Sequence, residues 1–260
     1  MSREDKRPTH FDLSGRAALI TGGSSGIGKA IAVAFADAGA DVCITYHSRE
    51  EGANEAVEAI RARGRKALAI RANAEKEDEI NASVERALAE FGKVDILINN
   101  AGALLERKLI EFTETELWNR TIALNLTSVF LYSRAMIGHL KQLGWGRIVN
   151  MTSIAARNGG GVGAGPYAAA KAGVSTLTRN LAKELAGSGV TVNGIAPGVI
   201  DTPFHSRTPD DVKSRFLASI PLGRFGVAED VVGAALYLCS DLASYVTGEI
   251  IEVNGGQLMD

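Results

Sequence analysis

Tyr167 and Lys171 stand four residues apart in the segment Pro166 to Leu185, which reads as helix with Pro166 at its first turn, so both side chains project from one face. An ammonium beside a phenol stabilises the phenolate and draws the tyrosine pKa down from about 10 toward working pH, making the phenol a usable proton donor or acceptor. The same spacing is common on ordinary helix surfaces, so the pair gains meaning from its company. Ser153 follows the apolar run Arg147 to Thr152, and Asn99-Asn100-Ala101-Gly102 closes another run. Asn125 interrupts an apolar helical stretch between Leu124 and Leu126, where a buried amide is costly unless hydrogen-bonded.

A second group suits phosphate. Thr21-Gly22-Gly23-Ser24-Ser25-Gly26-Ile27-Gly28 joins an apolar run to the helix-forming Lys29 to Ala38. Glycines there bring backbone N–H groups close to a pyrophosphate at a helix N-terminus. A plain tight turn is the other reading, since the spacing is Gly-x-x-x-Gly-x-Gly. After the next run, Tyr46-His47-Ser48-Arg49 offers a hydroxyl, an imidazole and a guanidinium, with no carboxylate before Glu50. That set favours the 2′-phosphate of NADP(H), with NAD(H) as the alternative, unless Arg49 and Glu50 are only a solvated helix start.

These residues need a scaffold that gathers run ends. Ala17 to Thr21, Asp41 to Tyr46, Ala67 to Ala72, Asp95 to Asn99, Arg147 to Thr152, Thr191 to Ala196 and Glu249 to Val253 read as seven strands, covered on both faces. Helical spacing lies between them, as in Ala53, Ala56, Val57 and Ile60. Thr113 and Glu116 have capping-box spacing and predict one long helix through about Leu140. The alternation implies an α/β, doubly wound, parallel seven-stranded sheet with helices on both faces, of Rossmann type. One domain is expected over residues 12–260 behind a disordered tail of residues 1–11, with a substrate loop at about 199–226 punctuated by Pro203, Pro209 and Pro221.

Thr21 to Gly28, Asn99 to Gly102, Asn125, Ser153, Tyr167 with Lys171, Pro197-Gly198 and Val253-Asn254-Gly255-Gly256 together resemble the short-chain dehydrogenase/reductase family, in order and across about residues 12–258. The resemblance implies that Tyr167 is the general acid in carbonyl reduction and that Ser153 bonds the substrate carbonyl. It further implies that Lys171 binds the nicotinamide ribose and lowers the Tyr167 pKa, and that Asn125 holds a proton-relay water. Gly22, Ser24, Ser25, Gly26, Ile27 and Gly28, the Tyr46 to Arg49 set, Asn73, Ala74, Asn99, Ala101, Gly102, Pro197, Gly198, Ile200 and Thr202 would bind the dinucleotide. Asn73 stands where the family commonly has an aspartate against adenine. A homotetramer built on the Tyr-bearing helix, its neighbour and the last strand is implied as well.

Substrate identity is less legible. Arg107, Lys108, Arg157, His205, Arg207 and Arg224 fall in loops around the reactive end, and a subset would hold an anionic group. Ser153, Arg107, Arg157, Gly160 and His205 are the candidate substrate residues. The resemblance points to a reductase of a small polar ketone or aldehyde, such as a keto-sugar acid or uronate. The alternatives are a 3-oxoacyl carrier-protein reductase, a sugar dehydrogenase or a non-catalytic dinucleotide-binding regulator.

Composition narrows the classes. Lys and Arg number 28 against 30 Asp and Glu, a formal net charge of −2 that leaves little room for a nucleic-acid partner. No apolar run reaches a membrane span, His10, His47, His139 and His205 form no metal-spaced cluster, and Cys43 and Cys239 read as reduced buried thiols of a cytoplasmic protein. Glycine stands at 29 where an average of ~7% would give roughly 18. Eleven are placed by this reading at the ligand edge: Gly22, Gly23, Gly26, Gly28, Gly102, Gly159, Gly160, Gly161, Gly163, Gly165 and Gly198.

Overall fold

The computed structural model describes residues 11–205 and 210–259. The expected tail through His10, and Arg207 and Pro209 in the expected loop, lie outside the described residues. The first half of the chain runs β1 (Ala17–Ile20), α1 (Gly26–Asp37), β2 (Asp41–Tyr46), α2 (Glu50–Arg61), β3 (Ala67–Arg71), α3 (Glu77–Phe91) and β4 (Ile96–Asn99). There follow α4 (Thr115–Ile122), α5 (Ser128–Leu143), β5 (Gly146–Met151), α6 (Ala155–Asn158), α7 (Gly165–Glu184) and β6 (Val190–Pro197). The chain ends with α8 (Asp210–Ala218), α9 (Ala228–Cys239) and β7 (Ile250–Val253).

All seven strands pair in parallel in the order β3-β2-β1-β4-β5-β6-β7, so the expected doubly wound sheet is present. Side chains alternate across it. Ile96 and Ile98 of β4 join Ile20, Ile44 and Val149 in a core completed by α1, α2 and α9, whereas Leu97 joins Leu19, Ile148 and Val192 under α3, α5 and α7. The strand order reverses between β1 and β4, and a crevice opens at the carboxyl ends of such a switch point. β7 is one of the two edge strands, its residues only half-buried.

Two local expectations are corrected. Thr113 caps no helix: its Oγ1 donates to the Leu109 carbonyl at 3.0 Å, and α4 starts at Thr115 after Glu114 without a side-chain cap. The long helix is also interrupted by a π-turn, Ala123–Thr127, centred on Asn125. The Asn125 amide takes the carbonyl of Thr121, four residues back, at 3.0 Å, competing with the backbone ladder and widening the helix.

The excursion after β6 is pinned at its base by Asp201 N to Gly226 O (2.7 Å) and Gly226 N to Val199 O (3.0 Å). Between these points lie the 3-10 turn Pro203–His205 and α8. Among the described residues no helix is long and apolar enough to cross a membrane, and no group of three or more His, Cys, Asp or Glu could hold a metal ion.

Candidate active site

A cleft of about 780 Å³ runs along the carboxyl edge, from the glycine turn after β1 past the ends of β2, β4, β5 and β6 to α8. Its floor is built by side chains that bond to backbone. Lys171 in α7 is 3% exposed, and its Nζ donates to the Met151 carbonyl at 2.8 Å while lying 5.8 Å from the centre of the Tyr167 ring. Ser153, just past β5, accepts from Ala155 N through Oγ at 3.1 Å and lies close enough to the Tyr167 hydroxyl to draw its pKa down. Helical spacing therefore brings Tyr167, Lys171 and Ser153 to one point on the cleft wall.

Burial governs the protonation of this group. Desolvation pushes the Tyr167 phenol up to about 12, against a downward pull from the Ser153 hydroxyl. It draws the Lys171 ammonium down to about 8. Burial thus keeps the phenol protonated, and the neighbour that draws its pKa down is Ser153.

Asn125 is fully buried and does not line the cleft. Its Oδ1 accepts from Ala103 N at 3.0 Å, and its Nδ2 donates to Ala103 O at 2.9 Å and to Thr121 O. Both amide N–H groups are committed to backbone carbonyls, and these bonds tie the loop after β4 to the π-turn. A Cβ on Gly102 would stand 2.7 Å from Asn125 Oδ1 and 3.3 Å from Lys171 Nζ, so this packing requires a glycine.

At the other end, Gly22 and Gly26 adopt φ of +66° and +52°, and the first turn of α1 carries no acidic side chain. Gly22, Ser24, Ser25, Gly26 and Ile27 line the cleft there. The bend is locked by Asn100, whose Nδ2 donates to Thr21 O at 2.8 Å and Gly22 O at 3.2 Å. Thr21 Oγ1 in turn accepts from Asn100 N and Ala101 N, each at 2.9 Å. An open turn at a helix N-terminus free of acidic groups fits a pyrophosphate. Tyr46, His47, Ser48 and Arg49 line the next part, then Asn73 and Ala74, with Ala101, Gly102, Pro197, Gly198, Ile200 and Thr202 toward Tyr167. Asn73 Oδ1 already accepts from Glu75 N at 2.9 Å, which occupies one lone pair of the proposed adenine acceptor.

Several predicted site residues fall elsewhere. Asn99 is 2% exposed and outside the cleft: it still belongs to β4, so its amide points into the sheet and donates to Asn150 Oδ1 (2.8 Å) and Ser133 Oγ (3.2 Å). Asn100, one residue past the strand, is the one that reaches the turn. Gly28 packs on the turn instead of lining it, since a Cβ there would collide with Asn100 Nδ2 and Gly22 O. Gly23 makes room for Ile44. Arg157 pairs with Glu252 at 3.3 Å and lines a separate cavity of about 300 Å³. Lys108 pairs with Glu114 at 2.6 Å and Arg224 with Asp230 at 2.7 Å. His205 ends its 3-10 turn. Arg107 and Gly160 do line the cleft.

The sequence reading missed the apolar wall of this far end, made by Leu104, Leu105, Phe204 and Phe216, with the Phe204 ring 5.8 Å from that of Tyr167. It also missed Gln257, which lines the cleft and ties the C-terminal segment to Ser219 Oγ at 2.8 Å.

Comparison with known proteins agrees with this geometry. A family model described as Enoyl-(Acyl carrier protein) reductase matches residues 22–257. The 3-oxoacyl-[acyl-carrier-protein] reductase FabG of Staphylococcus epidermidis is 40% identical over 244 residues, 94% of this chain and 99% of that protein. A solved 7α-hydroxysteroid dehydrogenase, complexed with NADH and 7-oxo glycochenodeoxycholic acid, is similar with a TM-score of 0.90 at 37% identity over 96% of this chain and 97% of that one. A short-chain type dehydrogenase/reductase from Mycobacterium marinum gives a TM-score of 0.91 at 34% identity, over 96% and 98% of the two chains.

Proposed function

The chain belongs to the short-chain dehydrogenase/reductase family of oxidoreductases, and from that premise we propose that it is an NADP(H)-preferring carbonyl reductase of a small ketone or aldehyde. The observation that carries the reading is the Tyr167 hydroxyl, beside Ser153 and Lys171, at one end of a cleft whose other end is a glycine turn fit for pyrophosphate. The turn residues would hold the phosphates, Tyr46 to Arg49 the adenosine ribose with its 2′-phosphate, and Pro197 to Thr202 the nicotinamide. Bound there, the reduced dinucleotide supplies a hydride to the carbonyl carbon.

The chain's own residues handle the proton. Tyr167, held as a phenol by burial, is the general acid that donates to the carbonyl oxygen. The Ser153 hydroxyl bonds the same oxygen and stabilises the charge that develops on it. Lys171 keeps one N–H on Met151 and has two more to offer a ribose and the phenol. Asn125 keeps Ala103 in place and the Gly102 backbone against Lys171.

A 3-oxoacyl thioester reductase is the second reading, favoured by the 40% identity to FabG across nearly the whole of both chains. The keto-sugar acid fits less well, because the wall beside Tyr167 is apolar. The protein acts in the cytoplasm as a homotetramer in this reading.

A panel of alicyclic ketones, an acetoacetyl thioester and a keto-sugar acid, followed by loss of NADPH or NADH absorbance, tests it. At least one ketone is reduced, about tenfold faster with NADPH than with NADH at limiting cofactor, the size expected for charge-assisted bonds to one phosphate. No turnover with either cofactor overturns the reductase, and light scattering on the same preparation reads the assembly.

A further inference from the structure

We infer that Arg107 anchors an anionic group on the substrate and that the glycine-laden loop before α7 is the seat that holds its guanidinium, which narrows the substrate class to a ketone with an apolar body and a carboxylate or similar anion. This rests on the reductase reading and names what that site selects.

The loop from Gly159 to Gly165 carries five glycines that the cofactor does not explain. A Cβ on Gly161 would stand 3.2 Å from Arg107 Nη1, and one on Gly163 would stand 2.8 Å from Lys108 N. Without those carbons the two segments lie flat on each other. Lys108 N donates to Gly163 O at 3.0 Å, and Arg107 Nη1 donates to Val162 O at 3.3 Å. The glycines therefore admit neighbouring protein backbone and a guanidinium.

The charges beside the seat are sorted. Lys108 is neutralised by Glu114, with Glu106 at 3.9 Å, and its bonded carboxylate holds it in the charged form. No carboxylate is paired with Arg107 among the described residues, and Arg107 lines the cleft. One of its five N–H donors is fixed on Val162, leaving a planar, permanently charged fork aimed by a backbone bond. Such a fork matches a carboxylate in two parallel bonds. Leu104, Leu105, Phe204 and Phe216 line the same cleft, Phe204 beside Tyr167 at 5.8 Å between ring centres and Phe216 within 3.9 Å of the position a Gly161 Cβ would take. A polyhydroxylated body would find few partners along that wall, whereas an alicyclic or acyl body would bury there.

The test uses oxocyclohexane carboxylates with the carboxylate on progressively longer arms, each beside its uncharged carboxamide. Wild-type protein should prefer the best-reaching acid over its amide by about tenfold or more in kcat/KM, expressed in KM. Arg107→Met should bring that ratio close to one. Arg107→Lys, with charge but no fork, and Gly161→Ala, with the fork displaced, should give ratios between these limits. Because each ratio is internal to one variant, partial loss of folded protein cancels. A wild-type ratio of one, or an undiminished ratio in Arg107→Met, overturns the anchor. If no ketone is reduced with either cofactor, the reductase reading fails by itself. Calorimetric binding of the same acids and amides to wild type and Arg107→Met then decides the anchor: an acid preference lost in the variant upholds it, and equal binding overturns it.

Discussion

At the carboxyl edge of the sheet, Lys171, Asn125 and Asn100 bond to backbone atoms of Met151, Ala103, Thr121, Thr21 and Gly22. At the amino edge of the same strands, charged side chains bond to one another. Asp95, 2% exposed, takes Arg16 at 3.2 Å and Lys93 at 3.1 Å, and also accepts from Ala17 N at 2.9 Å. Arg147, pulled down by burial, reaches Asp241 at 3.4 Å, and Trp145 Nε1 donates to Asp241 at 3.0 Å. Arg16 and Arg147 both lie over the Trp145 ring, at 3.5 and 4.1 Å from its centre. Mutual pairing uses up charge and clamps β1, β4 and β5. Bonding to backbone shapes the loops of the cleft and leaves Lys171 two N–H groups to offer it, so one edge is built to hold and the other to react.

The contrast breaks most sharply at Tyr167. Tyr167→Phe removes the proton donor but keeps the ring against Phe204, so kcat/KM should fall about a thousandfold, near 4 kcal/mol on the barrier. The thermal midpoint and calorimetric NADPH binding should stay near wild type. A variant that keeps more than a tenth of the activity would remove Tyr167 from the mechanism. Asp95→Ala reverses the pattern. It strands Arg16 and the Ala17 amide, and losing one partner of a buried charged pair destabilises by roughly 3 kcal/mol. Denaturant unfolding should show that loss, with kcat per folded molecule unchanged at low temperature. A large drop in kcat there would mean that the two edges are coupled.

How far each edge was legible follows from the range of its contacts. The strands and the Tyr167–Lys171 pair were readable because periodicity and an i, i+4 spacing are local. The distinction between Asn99 and Asn100 was not, since it depends on whether β4 ends before or after Asn99, a one-residue boundary that flips a side chain from the sheet to the crevice. Thr113 read as a cap because its partner at N3 was inferred from spacing, whereas its hydroxyl found the closer Leu109 carbonyl. The far wall of the cleft was hidden for another reason. Leu104, Phe204 and Phe216 come from segments about a hundred residues apart with no shared period, so only the folded chain brings them together. Arg157 and Arg107 looked alike in sequence, and Glu252 on the last strand separates them.

The smallest expected effect tests whether a group on the reactive edge is held at a cost to stability. Lys171 carries a folded-state pKa of about 8 against an unfolded value near ~10.4. Below pH 8 both states bind the proton and the burial of the charge weighs fully on the fold. Between pH 8 and about 10.4 the unfolded state binds more protons, so stability rises with pH. Tyr167, raised to about 12 from an ordinary 10, acts oppositely and only above pH 10, where the unfolded phenol ionises first. A scan kept below pH 9.5 avoids the tyrosine, and the buried thiols Cys43 and Cys239, which burial also holds protonated, cancel when a variant is compared with wild type. Lys171→Met deletes the titrating charge, so its thermal midpoint relative to wild type should be most favourable below pH 8 and should lose a few degrees of that margin by pH 9.5. Loss of the bond to Met151 shifts the whole curve without changing its slope. A margin flat in pH would mean that burial does not weigh on the Lys171 charge, and the division between a reacting and a holding edge would fail at its central residue.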